Sequence, residues 1–173
     1  KAQGRDHYRF FKPEMNLRIV ARQRTEGGLR QALARREFVL QYQPKVNLES
    51  GVITGAEALI RWRHPERGLL PPAEFVHIAE ECRLIVPIGQ WVMREACAQA
   101  RAWFDAGVPV SVAVNVSAIE FRDKSFLDHV SAALGDVELD PRYLELELTE
   151  SALMEHTEST VSMLRTLKDI GVT

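Results

Sequence analysis

Stretches with a two-residue hydrophobic period take turns along this chain with stretches of helical period, and that rhythm sets the expected elements. Phe38–Leu48 (FVLQYQPKVNL) and Val52–Trp62 (VITGAEALIRW) read as strands. Only Glu49-Ser50-Gly51 lies between them, so an antiparallel hairpin is expected. His64-Pro65 to Pro71-Pro72, rich in proline and glycine, reads as a loop. Ala73–Cys82 carries Phe75, Val76 and Ala79 on one stripe and predicts a helix. Ile88–Ala106 predicts a longer one, with Trp91, Val92, Ala96, Ala100 and Trp103 on its apolar side and Gly107 as its stop. Val110–Ser117 is a strand, Ser125–Leu134 a short helix closed by Gly135, and Tyr143–Ser151 another strand. Thr157–Ile170 is a helix with Thr157 as its cap, and Val172-Thr173 would begin a further strand. Ahead of the hairpin, Pro13 opens a helix to about Arg24. Gly27-Gly28 is expected to break it, and Leu29–Arg36 to form a second, short helix.

After the hairpin, strand and helix alternate with short connections. Such a chain folds with parallel strands joined by right-handed crossovers. The order alone fits a doubly wound sheet or a (β/α) barrel. A complete barrel takes about 250 residues, so 173 residues would supply part of one.

Composition narrows the picture little. Apolar residues make up 46% and charged residues 27%, which suits one packed domain rather than disorder. A net charge of −2 gives no general pull towards a nucleic acid polymer. The Arg-rich stretch before the hairpin lacks interleaved aromatics and reads as a solvated face. Cys82 and Cys97 lack metal-ligand spacing and read as free thiols in a reducing compartment. No apolar run reaches the ~18 residues that would span a membrane, and no signal peptide opens the chain.

Chemistry enters through strand parity. Residues two apart share a face of a strand. Glu57, Leu59 and Arg61 share one face, opposite Ala56, Ala58, Ile60 and Trp62. Ser111, Ala113, Asn115 and Ser117 oppose four valines, and Glu145, Glu147 and Thr149 oppose three leucines. An antiparallel sheet with one wet face would explain this alternation. A barrel explains it differently: helices cover the apolar faces, and Glu57, Asn115 and Glu147 converge inside. Two carboxylates and an amide oxygen are hard donors, suited to Mg²⁺ or Mn²⁺ rather than zinc. Arg61, on the same face as Glu57, would either fork onto a phosphate or pair with Glu57 itself. By parity Glu150 points away from Glu147, as an ordinary exposed carboxylate would. The histidines have no partner at ligand spacing.

GAEALIRW resembles the signature of the EAL family of cyclic di-GMP phosphodiesterases. The likeness continues through QYQPKV, RGLLPPAEFVHIAEE, VAVNVS and LELELTES, over roughly Leu29 to Thr173. Lys1–Lys12 resembles the tail of a GGDEF domain, which leaves residues 13–28 as a linker helix and 29–173 as the EAL domain. The resemblance implies a TIM-type barrel whose first strand runs antiparallel to the others. It implies hydrolysis of cyclic di-GMP to linear pGpG with two Mg²⁺ or Mn²⁺ ions. Glu57, Asn115 and Glu147 fall on metal-ligand positions and Arg61 on a phosphate-contacting one. Glu150 matches a glutamate that steadies a loop and supports metal binding and dimerisation. Gln43 and Pro72 fall at positions expected to line the nucleotide pocket. A homodimer and a cytoplasmic setting, or the cytoplasmic part of a membrane-bound protein, follow from the same likeness, with no membrane contact from this segment.

Two departures bear on that implication. Cys82-Arg83 stand where the family usually has Thr-Gly, with a local effect expected. The family also continues into paired aspartates, a lysine and another glutamate, which would begin a few residues beyond Thr173. Residues 1–173 by themselves are therefore expected to form an incomplete barrel that does not hydrolyse. One rival is an EAL module that binds cyclic di-GMP without cutting it, although such relatives usually lose a metal ligand. A second rival is a structural role in dimerisation or regulation.

Overall fold

A computed structural model of the chain describes residues 13–148 and 158–173. Its strands form one mixed sheet. β1 (Phe38–Val46) and β2 (Ile53–His64) are the expected antiparallel hairpin, in register from Phe38 opposite Trp62 to Gln43 opposite Glu57. A bulge at Lys45/Val46 leads into the turn, where Gly51 takes a left-handed φ of 70°. β4 (Ser111–Val116) runs parallel to β2, and β5 (Leu144–Leu148) parallel to β4. The spatial order is β1-β2-β4-β5. This decides between the two readings of alternation: crossovers join β2, β4 and β5 in parallel, and β1 opposes them.

The last residues of β2 hold one strand that the sequence pattern hides. β3 (Gly68–Leu70) pairs antiparallel with Trp62–His64 inside the expected loop. Three residues are too short to show a period, and Pro71 follows at once. A 3₁₀ turn (Pro72–Glu74) and α2 (Val76–Glu81) replace the single helix expected over Ala73–Cys82. α3 runs Ile85–Asp105, three residues earlier than the pattern suggests, because Pro87 sits in its first turn, where its missing N–H goes unused. α4 (Ala118–Phe121) has one turn, below the reach of periodicity. Ser117 and Glu120 close it with a reciprocal capping box. α5 spans Phe126–Gly135 and α6 Glu158–Ile170. Thr157, the expected cap of α6, lies outside the described residues. The expected final strand is present in its hydrogen bonds: Leu146 N–H donates to Thr173 O at 2.8 Å, and Thr173 N–H to Leu144 O at 3.1 Å.

The glycine pair does not break the first helix. α1 runs unbroken from Pro13 to Ala32. Gly28 lies under the Trp62 indole, where a Cβ would come within 2.8 Å of the ring. It is a packing glycine, and the Leu29–Arg36 helix merges into α1. The chain then turns through Arg36 at a φ of 55°, and Glu37 N–H closes back on Ala32 O.

The core lies between the helices and the apolar strand faces. Ala58, Trp62 and the β4 valines are buried against Ile85, Ile88, Val92, Ala96 and Cys97 of α3. Phe38 stacks among Trp62, Phe75 and Trp91 with ring centroids 5.8–6.1 Å apart. Tyr42 meets Trp103 edge-on at 4.9 Å. Each large side chain buried this way contributes about 1.5–3 kcal/mol. The polar faces of the same strands are thereby turned to the other side, the concave interior of the sheet. Cys82 and Cys97 are free, and burial pushes the Cys97 thiol up to about 12, which keeps it protonated.

Candidate active site

Neighbouring strands bring the inward carboxylates and amides side by side. Gln43 faces Glu57 across β1 and β2, Glu57 pairs with Ala113 across β2 and β4, and Asn115 pairs with Glu147 across β4 and β5. Asn115 Nδ2 donates to Glu57 Oε1 at 2.7 Å. Glu57, Asn115 and Pro72 also line one cavity of about 410 Å³ where β2 and β4 meet α2 and α3. The structure thus gathers Gln43, Asn115 and Pro72 around Glu57 and sets Glu147 next to Asn115. Arg61 sits on the expected face, but the expected alternative of a Glu57 salt bridge does not form. Its Nη1 donates instead to Ile60 O at 2.8 Å. Glu150 lies outside the described residues.

The deep end of the cavity holds Glu120, which is 8% exposed. Its Oε2 accepts from Ser117 N–H at 3.0 Å and Ser117 Oγ at 2.6 Å. Burial pushes the Glu120 carboxyl up to about 7, against the lowering effect of those bonds. Gly89 makes room for it, since a Cβ there would stand 1.5 Å from Glu120 Oε1.

A second interior group was missed by the sequence reading. Lys45 Nζ donates to Glu147 Oε1 at 2.7 Å and to Glu145 Oε2 at 2.9 Å. Ser111 Oγ donates to Glu145 Oε1 at 2.5 Å. Burial alone would lower the Lys45 pKa; the bonds and charges of Glu147 and Glu145 outweigh it and hold the ammonium above its usual range. The Ser111 bond first, and then Lys45, hold the Glu145 carboxyl below the usual range. Parity could have found Lys45, which stands two residues after Gln43 and so shares its inward face.

The donor set suits a divalent ion of the Mg²⁺ or Mn²⁺ kind: Glu57 and Glu147 offer carboxylate oxygens and Asn115 an amide oxygen once its side chain turns. No group of three His, Cys, Asp or Glu side chains among the described residues is placed to hold a metal. The set present combines two carboxylates with an amide, and Lys45 occupies one of those carboxylates.

A family profile described as "EAL domain" matches residues 26–173. The chain is 44% identical over 173 residues to the bifunctional diguanylate cyclase/cyclic di-GMP phosphodiesterase MucR of Pseudomonas aeruginosa, covering 99% of this chain and 25% of that protein. It is 37% identical over 171 residues to the cyclic di-GMP phosphodiesterase PdeR of Escherichia coli K12, covering 99% of this chain and 26% of that protein. The chain thus spans about a quarter of the length of these curated relatives. Among solved structures, the P. aeruginosa MucR phosphodiesterase in complex with c-di-GMP superposes with a TM-score of 0.83 at 45% identity, covering 86% of this chain and 61% of that one. The cGMP-bound EAL enzyme Bd1971 superposes with a TM-score of 0.82 at 27% identity, covering 92% of this chain and 45% of that one.

Proposed function

We propose a cyclic di-GMP phosphodiesterase function from one premise: this chain belongs to the EAL domain family, and its fold is part of a TIM-type barrel. The reaction would open one phosphodiester bond and release linear pGpG. The observation that carries the reading is the inward row of Glu57, Asn115 and Glu147, with Glu57 and Asn115 in contact at 2.7 Å beside the cavity. The relatives named for this activity, and a structural neighbour described as a c-di-GMP complex, support the substrate class.

In this reading Glu57, Asn115 and Glu147 hold two divalent ions, Mg²⁺ or Mn²⁺. When bound, those ions would polarise the phosphate and lower the pKa of a water. Arg61 gives a single nitrogen to Ile60 O, which leaves the rest of its fork for a phosphate oxygen. Gln43 beside Glu57, and Pro72 on the cavity wall, would border the nucleotide. Glu150 would steady the loop after β5. A homodimer through this domain belongs to the same reading, as does a cytoplasmic setting. No helix among the described residues is long and apolar enough to cross a membrane.

The test uses the purified full-length protein with Mn²⁺, following cyclic di-GMP and pGpG by chromatography. Wild type should convert one to the other. Glu57→Ala should lower kcat by more than about 100-fold with an unchanged circular dichroism spectrum, since even residues that only support a metal ligand are worth 10–100-fold. Intact cyclic di-GMP with the wild type would overturn the function, and wild-type turnover by the variant would remove Glu57 from the metal site.

A further inference from the structure

Lys45 belongs to β1 and Glu147 to β5, with β2 and β4 between them. Three strand spacings of about 4.8 Å put them roughly 14 Å apart along the sheet. They meet because the sheet curls and the ammonium crosses its concave side. The lane it crosses is cleared by small residues. Lys45 lies opposite Gly55, and Gly55 opposite Ser111. A Cβ on Gly55 would stand 2.6 Å from Ser111 Oγ. The crossing is therefore a built feature of four adjoining strands.

We propose that Lys45 is an internal counter-ion that bridges Glu145 and Glu147 and yields Glu147 when a divalent ion takes that carboxylate. This inference rests on the reading of Glu147 as a metal ligand. Glu147 and Glu145 stand two residues apart on one face of β5, and without a cation between them two like charges would share one small space. Lys45 supplies the cation, 2.7 Å from one carboxylate and 2.9 Å from the other. Glu145 holds a second bond from Ser111, so it stays anchored with Lys45 when Glu147 leaves. Metal and ammonium thus compete for one carboxylate oxygen, and the ion must displace a hydrogen-bonded charge to bind. Lys45 acts here as a positioning residue and an occupant, outside the chemistry itself.

The competition predicts opposite effects of one substitution on two states. In the full-length protein, Lys45→Met should tighten Mn²⁺ binding at least fivefold by calorimetry. The same variant should melt several degrees lower in chelator, and the gap should close in saturating Mn²⁺. Lys45→Arg, which keeps the cation, should melt like wild type in chelator. Unchanged or weaker Mn²⁺ binding by Lys45→Met would overturn the proposal, as would equal melting in chelator. If Lys45→Met does not fold, Lys45→Met/Glu145→Gln compared with Glu145→Gln alone tests the same competition, and tighter Mn²⁺ binding by the double variant is the expected result. Failure of wild type to bind Mn²⁺ would overturn the metal reading and this inference together; wild-type binding with an indifferent Lys45→Met sinks this inference alone.

Discussion

Glu120 shows how much one buried carboxyl can weigh. Its ordinary pKa of 4.5 is raised to about 7, chiefly by burial. The folded protein therefore holds a proton that the unfolded chain releases between those values. Across that window the unfolded state binds fewer protons, so stability falls as pH rises from about 4.5 to about 7 and stays lower above. A shift of that size corresponds to roughly 3 kcal/mol. Glu120→Gln keeps an oxygen to accept from Ser117 and removes the ionisation. Urea denaturation should find the variant more stable than wild type by about 1–3 kcal/mol at pH 8, with little difference at pH 4.5. The capping pattern Ser117-x-x-Glu120 was open to view in the sequence. The burial of its carboxylate was not, because that depends on Gly89 of α3 leaving space beside it.

At the scale of elements, α1 gives the sharpest contrast between local preference and packing. Glycine is a poor residue in the middle of a helix, costing up to ~1 kcal/mol relative to alanine. Gly27 has nothing within 4 Å of where its Cβ would stand, so Gly27→Ala should raise stability by about 0.5–1 kcal/mol. Gly28 is pressed against the Trp62 indole, a ring fully shut from solvent and tied through Nε1 to Glu37 Oε2 at 3.0 Å. Gly28→Ala should lower stability by about 1–3 kcal/mol, since the ring has no free space to move into. Thermal melts of the two variants side by side check both signs. Local rules read the pair as a break because they see only the chain's own backbone. Periodicity did locate every long element, and it failed at β3 and α4, which are shorter than one clear period.

Across the whole molecule, charges bridge the two ends of the sheet, Lys45 of β1 reaching Glu145 and Glu147 of β5. Hydrogen bonds from Ser111 and Lys45 keep the Glu145 carboxyl below its ordinary range, so its contribution is present above that range and is lost as pH falls through the folded value. Denaturant midpoints measured at pH 6 and pH 3 should show wild type losing more stability in acid than Glu145→Gln. Equal losses would mean that the crossing contacts do not bear on the fold. The same sheet sets the candidate site. Glu57, Asn115 and Glu147 come from three neighbouring parallel strands, with Asn115 in contact with Glu57 and paired in register with Glu147.

The amino-acid sequence by itself determined the element types, the hairpin, and the division of each strand into an apolar and a polar face. Those follow from spacings of two to four residues, which the chain states locally. It also determined the family, because the ordered segments around Glu57, Asn115 and Glu147 are enough to match it. Only the tertiary structure decided that Arg61 turns to Ile60 O rather than Glu57, that Gly28 is a packing contact, and that Lys45 reaches Glu145 and Glu147. The Gly28 and Lys45 contacts join residues on different elements. Their distances depend on how far the sheet bends and which small side chain leaves a lane open, and no local period carries that information.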